Sequence, residues 1–397
     1  MEYHFSDKLA ALKPSAIREI FKSLTDPTII SFAAGNPAAE SFPVEALARL
    51  SADIFATDAV AALQYSMTDG YPPLREAIAK RQKEVFGIGG PDDTTIVVSG
   101  GQQGIELACK ALCNEGDVVL CENPSFIGAL NAFRSCGART VGVELEADGM
   151  DPVALEAAIQ ANPNAKMLYL IPTFHNPSGI TTSLEKRRRI YEVAKKYSLP
   201  ILEDNPYGEL RFAGEEIPTL KSMDTEGIVL YSSSFSKILS AGMRVGYMCG
   251  PEPVIQKMVV AKQSEDVHTN IFFQMLTYRF MTECDLDAHI AGIRKLYRDK
   301  CALMLDTLDR VMPDCVKYTR PEGGLFLWLT LPEKINMPDF VKKALEYKVA
   351  VVPGNTFLCD TAATINAVRL NYSTPSDEDI VRGCTLLGDA VREMLGE

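Results

Sequence analysis

The feature of this chain that most constrains its fold is a regular alternation of short apolar runs with amphipathic helical patterns. Apolar runs of this kind are typical of strands buried on both faces, and helices between them favour a mainly parallel sheet. The predicted strands are Thr95–Ser99, Asp117–Cys121, Thr140–Val143, Met167–Ile171, Pro200–Glu203, Ile228–Ser232 and Val245–Cys249. The predicted helices between or after them are Gln103–Leu112, Phe126–Phe133, Leu184–Lys196 and Glu252–Lys262. We therefore expect a large α/β domain with a seven-stranded, mainly parallel sheet between helices.

The pattern changes after about Asp285, where one long helical stretch runs through Leu308. The elements predicted beyond it are Leu325–Thr330, the helix Pro338–Glu346, Ala350–Val352, Ala367–Leu370 and the helix Glu378–Met394. They indicate a smaller α+β domain at the C-terminus, reached over a bridging helix. We divide the chain into an N-terminal arm (1–45) that packs with the small domain and the substrate site, a large domain (46–290) and a small domain (291–397).

Charge and cysteine usage narrow the class of protein. The 397 residues include 40 basic and 52 acidic ones, and the net charge of −12 argues against nucleic acid or an anionic membrane as the main partner. We expect no signal peptide, and no uncharged apolar run approaches the ~18 residues needed to span a bilayer. Ten scattered cysteines and four distant histidines favour reduced thiols, a cytoplasmic location and no metal site.

The segment that follows the predicted strand Ile228–Ser232 has the strongest chemical signal. It places Ser234, Ser236, Lys237 and Arg244 within eleven residues. A lysine amine condenses with an aldehyde, while hydroxyls and a guanidinium satisfy a phosphate, so the cluster suits a phosphorylated aldehyde cofactor. The alternative is a surface loop with a solvated lysine and arginine, because short motifs alone have a real false-positive risk.

Polar residues also follow other predicted strands. Asp204 comes directly after one apolar strand, with Tyr207 three residues later, and Asn176 follows another in the motif Pro-Thr-Phe-His-Asn-Pro-Ser-Gly. Gly101 and Gln102 lie where the first strand turns into its helix, and backbone amides at such a turn form an anion site. Each position alone is compatible with an ordinary turn. Their joint occurrence at successive strand ends indicates a common site.

These motifs, with Arg-Leu-Asn-Tyr-Ser around Arg369, resemble those of fold-type I enzymes that use pyridoxal 5′-phosphate (PLP). The resemblance is to class I/II aminotransferases near the 2-aminoadipate and kynurenine aminotransferase group, and it runs from Ser15 to Ser373 in the family's order. It implies that Lys237 carries PLP as a Schiff base and moves the substrate Cα proton, with Asp204 on the pyridine nitrogen. The other implied cofactor contacts are Gly101, Gln102, Ser234, Ser236 and Arg244 at the phosphate, Asn176 and Tyr207 at the phenolate oxygen, Phe126 stacked on the ring, and Tyr65 reaching the phosphate of a second subunit.

The resemblance also implies the substrate contacts. Arg369 would bind the α-carboxylate, because a guanidinium is the best bidentate receptor for one. Gly35 would let its backbone approach the substrate beside Asn176, and Arg18 is a candidate for recognising the side chain. The sequence departs from the family at Ala34 and Gly101, where Gly and Ser are usual, at Phe126, where Tyr is usual, and at His175, where Gln is frequent. His175 faces either the substrate or the surface, and Tyr65 has the alternative interpretation of a buried structural tyrosine.

The activity implied is transfer of an amino group from an L-amino acid to a 2-oxo acid, with 2-oxoglutarate as the expected acceptor. Two half-reactions would alternate PLP with pyridoxamine phosphate in a homodimer with shared active sites. A fold-type I lyase or decarboxylase is the alternative with the same cofactor. The acidic charge argues against a DNA-binding regulator, and the set of Lys237, Asp204 and Arg369 argues against an inactive scaffold. The side chain accepted stays open among adipate-like, aromatic and branched types.

Overall fold

The structure, a computed structural model that describes residues 3–10, 12 and 26–397, contains a large sheet and a small sheet flanked by helices. The strands are numbered in chain order from β1 (Ile30–Ser31), and those of the large sheet are β2 (Asp93–Val98), β3 (Val118–Asn123), β4 (Arg139–Glu146), β5 (Gly149–Met150), β6 (Ala165–Leu170), β7 (Ile201–Asp204), β8 (Val229–Ser234) and β9 (Gly246–Pro251). Their order across the sheet is β2-β9-β8-β7-β6-β3-β4-β5. From β8 through β4 neighbouring strands pair in parallel, whereas β9 is antiparallel to both of its neighbours.

The seven predicted strands are all present, with ends shifted by a few residues, and β5 adds an eighth. The strand β5 pairs antiparallel with the end of β4, where Gly149 adopts a φ of 118°. Glycine reaches this backbone region without a steric penalty, so the chain reverses tightly after β4. A two-residue strand is too short to produce a periodic signal in the sequence.

Helices cover both faces of the large sheet because side chains alternate along each strand. Val119 and Cys121 of β3 pack into one hydrophobic layer, and Val118 and Leu120 pack into the opposite one. The helices on the first face are Gly101–Leu112, Ile127–Ser135 and Glu252–Gln263. Those on the second face are Pro72–Phe86, Pro152–Ala161, Leu184–Lys196 and Ile271–Glu283. The sheet is therefore buried on both sides, as the uniformly apolar strands predict.

The smaller C-terminal domain is built on an antiparallel sheet in the order β10-β11-β14-β13. Its strands are β10 (Lys317–Tyr318), β11 (Phe326–Thr330), β13 (Val352–Pro353) and β14 (Ala367–Asn371), and its helices are Leu286–Val311, Met337–Glu346 and Asp377–Leu395. The predicted strand Ala350–Val352 is divided, because β12 (Val349–Ala350) pairs in parallel with β1 while β13 pairs with β14. The N-terminal segment at β1 is thus attached to the smaller domain.

The remaining helical elements are short or lie near the N-terminus. They are Asp7–Ala10, Val44–Thr57, Ala59–Leu63 and the 3-10 turns Ala39–Ser41, Gly208–Leu210, Lys221–Met223 and Gly354–Phe357. No helix in the described part of the chain is long and apolar enough to cross a membrane. All ten cysteines lie in that part, and none of them forms a disulfide there.

Candidate active site

A cavity of about 390 Å³ opens where the carboxyl ends of β7 and β8 face β11 and β14 of the smaller domain. This volume is in the range of small-molecule sites. The predicted site residues that line the cavity are Gly35, Gly101, Gln102, Phe126, Asn176, Asp204, Tyr207, Ser234, Ser236, Lys237, Arg244 and Arg369. The fold therefore brings together residues that are up to 334 positions apart in the sequence, from Gly35 to Arg369.

Lys237 extends into this cavity from the turn that follows β8. Its Nζ donates a hydrogen bond to the carbonyl oxygen of Gly35 at 2.7 Å. Burial, and then the positive charges of Arg369 and Arg244, lower the pKa of Lys237 to about 8. A substantial fraction of the amine is therefore neutral near physiological pH, which is the form that attacks a carbonyl carbon.

Asp204 is the last residue of β7, and its carboxylate is almost completely buried. The hydroxyl of Tyr169 donates to its Oδ2 at 2.8 Å. Burial raises the pKa of Asp204 to about 7, although the hydrogen bond from Tyr169 acts in the opposite direction. A buried carboxylate of this kind is stabilised by a cationic partner, and a protonated pyridine nitrogen is a partner of that type.

Arg369 on β14 is buried between two aromatic rings. Its guanidinium carbon lies 4.2 Å from the ring centre of Phe326 and 5.1 Å from that of Phe357. Its Nη1 donates to Oδ1 of Asn176 at 3.0 Å, and its Nη2 donates to the carbonyl oxygen of Ala33 at 2.8 Å. Burial lowers its pKa to about 10, and its Nε has no hydrogen-bond partner among the described residues. This guanidinium is fixed in place and has an unused donor for an anionic ligand.

The turn between β2 and the helix Gly101–Leu112 forms one wall of the cavity. Gly100 has a φ of 80°, and a Cβ at this position would lie 2.2 Å from Nη2 of Arg244. Opposite the turn, the hydroxyl of Ser234 donates to that of Ser236 at 2.7 Å. Free amides at a helix start, two hydroxyls and a guanidinium form an arrangement that suits a phosphate group.

Two aromatic residues complete the cavity wall. Phe126 directly precedes the helix Ile127–Ser135 and is half-buried. The ring of Tyr207 meets that of Phe326 edge to face, with 5.9 Å between centres, and burial raises the pKa of its hydroxyl well above the ordinary value. The hydroxyl therefore stays protonated and is available as a hydrogen-bond donor. Gln102 donates from its Nε2 to the carbonyl oxygen of Gly128 at 2.8 Å, so its side chain is held by the neighbouring turn.

His175 occupies neither of the two places expected for it. The ring is buried, with Nδ1 2.7 Å from Oγ of Ser178 and Nε2 3.3 Å from Oε2 of Glu122, and it does not line the cavity. Through its contact with Ser178 the side chain supports the turn that presents Asn176. The sequence did not reveal the nearby Glu122, because that residue lies on β3, far from His175 in the chain.

Two further predicted residues are not part of this cavity. Tyr65 is 79% exposed, so its interpretation as a buried structural tyrosine is wrong, and its ring meets that of His268 edge to face. It lines a separate surface cavity with Leu63 and Asn270. Arg18 lies outside the described residues.

Residues that the sequence did not single out also shape the site. Tyr169 holds Asp204, whereas Phe326 and Phe357 enclose Arg369. Tyr169 and Phe326 lie inside predicted apolar strands, where an aromatic residue usually indicates only burial. Among the described residues, no group of three His, Cys, Asp or Glu side chains is arranged to hold a metal ion.

An amine with a lowered pKa, a buried carboxylate and a phosphate-binding turn at the strand ends of this fold fit PLP, and they define a fold-type I PLP enzyme. Residues 27–387 match the profile of the aminotransferases of class I and II, and the chain belongs to this family. It is 38% identical to aromatic-amino-acid aminotransferase 1 of Thermococcus litoralis over 99% of this chain and 95% of that protein. It is also 38% identical to 2-aminoadipate transaminase of Thermus thermophilus, over 98% and 97% of the two chains.

A solved structure gives the same result. The kynurenine aminotransferase of Pyrococcus horikoshii, in complex with PMP, superimposes with a TM-score of 0.94 at 37% identity. The match covers 98% of this chain and 97% of that one. The resemblance expected from the sequence motifs is therefore confirmed over nearly the whole chain.

Proposed function

We propose that this aminotransferase binds PLP at Lys237 and transfers an amino group from an L-amino acid to a 2-oxo acid. The observation that carries the proposal is that one cavity encloses the Lys237 amine, the Asp204 carboxylate and the partly unpartnered Arg369 guanidinium. These are the three charged groups that the reaction requires at the cofactor aldehyde, the cofactor ring and the substrate carboxylate.

The residues that would hold the cofactor divide between its two ends. Gly101, Gln102, Ser234, Ser236 and Arg244 would bind the phosphate. The ring would lie against Phe126, with Asp204 at its nitrogen and with Asn176 and Tyr207 at its phenolate oxygen. When bound, the cofactor supplies an electron-withdrawing ring that stabilises negative charge at the substrate Cα.

The chain's own residues then provide orientation and proton transfer. Arg369, fixed between two rings, orients the substrate through its carboxylate, beside the Gly35 backbone. The Nζ of Lys237, with its pKa of about 8, takes the Cα proton as a general base and holds it for return as a general acid. Asp204 would stay ionised opposite a cationic ring nitrogen, because the pairing would offset the cost of its burial.

The acceptor and the side-chain preference are further parts of the proposal. We propose 2-oxoglutarate as the acceptor, and Arg18 remains our candidate for contacting the side chain. The relatives are named for aromatic amino acids, 2-aminoadipate and kynurenine, so these three are the first donors to test.

We also propose a cytoplasmic homodimer with shared sites. Of the residues that line the cavity at Tyr65, Leu63 is 75% exposed and Tyr65 itself 79%, and Val60, on the same helix as Leu63, is 81% exposed. An apolar patch of this kind is typical of an interaction surface. The unpaired cysteines are in keeping with a reducing compartment, and the net charge of −12 does not favour nucleic acid as a partner.

The direct test is a panel of L-amino acids incubated with 2-oxoglutarate and the PLP-loaded protein. Chromatography of both products distinguishes the classes of reaction. An aminotransferase forms glutamate and the new oxo acid in equal amounts. Release of ammonia or carbon dioxide without glutamate would instead identify a lyase or decarboxylase.

A further inference from the structure

A fully buried lysine lies outside the cavity and is not used by the proposed mechanism. Lys262, near the end of the helix Glu252–Gln263, is 0% exposed. Its Nζ donates to Oε1 of Gln103 at 2.8 Å, to Oδ1 of Asp266 at 2.7 Å and to Oγ1 of Thr269 at 3.0 Å. The three N–H groups of the ammonium thus each have an acceptor, which offsets the cost of removing the charge from water.

The acceptors of Lys262 contact Ser99, which begins the turn between β2 and the helix Gly101–Leu112. They do so on the side of the turn that faces away from the cavity. The backbone N–H of Ser99 donates to the same Oε1 of Gln103 at 2.8 Å, and the hydroxyl of Ser99 donates to Oδ2 of Asp266 at 2.7 Å. Nε2 of Gln103 also donates to that Oδ2 at 2.9 Å. Two hydrogen bonds therefore separate the ammonium from a residue that directly precedes Gly100 and Gly101.

The turn itself needs such support. Gly100, with its φ of 80°, has no side chain to anchor it, and glycine is the residue with the greatest backbone freedom. On the cavity side, Nη2 of Arg244 donates to the carbonyl oxygen of Ser99 at 3.2 Å. Ser99 thus contacts Arg244 on the cavity side and Gln103 and Asp266 on the other side. Lys262 donates hydrogen bonds to both Gln103 and Asp266.

We propose that Lys262 is a positioning residue for the phosphate end of the cofactor. It fixes Gln103 and Asp266, these fix Ser99, and Ser99 sets the direction of the amides that follow. The inference rests on the proposed binding of PLP. It predicts that Lys262 affects the binding of the phosphate group and not that of the aldehyde or the ring. Pyridoxal has the same aldehyde and ring but no phosphate, so its binding does not depend on the turn.

The test compares the two ligands on Lys262→Met, which retains most of the side-chain volume without the charge. Holoenzyme is purified, stripped of cofactor and titrated with PLP and with pyridoxal, while absorbance reports the linkage to Lys237. We expect the PLP dissociation constant to rise roughly tenfold and that for pyridoxal to stay unchanged. Lys295→Met is the matched control, because among the described residues that exposed lysine pairs only with Asp299 on the same helix, and its loss should change neither constant.

Ser99→Ala keeps the test valid if Lys262→Met does not fold. This variant leaves the buried ammonium with its three acceptors and removes only the contacts of the Ser99 hydroxyl, with Asp266 at 2.7 Å and with Oγ1 of Thr269 at 3.1 Å. We expect a rise of roughly threefold for PLP alone. An equal loss for PLP and pyridoxal in either variant would mean a general structural role and would overturn the inference, as would no change in either constant. Failure of the unmodified protein to bind PLP would refute the proposed function instead.

Discussion

At the scale of single residues, two oppositely charged groups in the cavity have pKa values near neutrality because both are buried. Burial disfavours the charged form of each, so the pKa of Lys237 falls to about 8 and that of Asp204 rises to about 7. Without the cofactor both charges are costly. A ligand with an electrophilic carbon and a cationic ring relieves both costs, which is a physical reason for the site to bind such a ligand.

Lys237→Ala tests the first of these groups. We expect the variant to retain PLP through the phosphate turn and the Asp204 contact, but without a covalent link. Borohydride reduction followed by mass spectrometry of peptides should find no cofactor attached to the chain, and turnover should fall by at least about 10³-fold. Lys295→Ala, an exposed control, should keep both properties. A borohydride-trapped linkage in Lys237→Ala would show that another lysine carries the cofactor.

Asp204→Asn tests the second group through the pH dependence of stability. The folded pKa of about 7 exceeds the ordinary value of 3.8, so between these two pH values the folded state binds more protons than the unfolded state. The contribution of Asp204 to the free energy of unfolding therefore decreases as the pH rises from 4 to 7. Asparagine does not ionise, so it avoids this loss of stability.

In the cofactor-free protein we expect the melting temperature of Asp204→Asn to exceed that of the unmodified chain by a few degrees at pH 8, and the gap to close towards pH 4. Calorimetry across this pH range measures it. A constant gap at all pH values would contradict the raised pKa. The same substitution should weaken PLP binding, since the neutral amide no longer pairs with a cationic ring nitrogen.

At the scale of elements, the sequence predicts what depends on local pattern and misses what depends on contacts. The strands β3, β6, β7 and β8 were predicted because uniformly apolar runs are long enough to recognise, and the polar residues at their ends, such as Asp204, were predicted with them. The strand β5 was missed because its two residues have no period. The partner of Asp204, Tyr169, was missed because its hydroxyl lies within an apolar run, and the link from Lys262 to Gln103 was missed because 159 positions separate them.

The turn before the helix Gly101–Leu112 gives an element-scale prediction. In Gly100→Ala the new Cβ would meet the Arg244 guanidinium at 2.2 Å and would require a left-handed φ, so both the turn and the arginine must shift. We expect roughly a tenfold increase in the PLP dissociation constant, measured by absorbance titration.

Gly116→Ala is the matched control for this turn. Gly116 also has a left-handed φ, of 87°, but a Cβ there has open space. It should lower the melting temperature through strain alone and leave PLP affinity unchanged. Equal effects of the two substitutions on affinity would mean that strain, and not the contact with Arg244, disturbs the site.

At the scale of the whole molecule, the cavity depends on how distant parts of the chain meet. Arg369 of the smaller domain donates to Asn176 of the large domain and to Ala33 of the N-terminal segment. Gly35, two residues later, accepts from Lys237. Tyr65, in contrast, is exposed on the surface, outside the cavity lining. If Tyr65 acts on a cofactor phosphate, as the family resemblance implies, it acts on that of a second copy.

Mixing two impaired variants tests this arrangement. In a two-fold symmetric dimer with shared sites, a Lys237→Ala subunit paired with a Tyr65→Ala subunit forms one site in which both residues are replaced and one in which both are intact. Random reassociation makes about half of the dimers mixed, and each mixed dimer has one intact site of two. We expect the mixture to recover about a quarter of the unmodified activity per subunit, well above either variant alone. Mixing Lys237→Ala with Asp204→Asn is the control, because both residues line the same cavity of one chain and no intact site can form. The absence of recovery in the first mixture, with dimers confirmed by light scattering, would show that Tyr65 does not complete a neighbouring site.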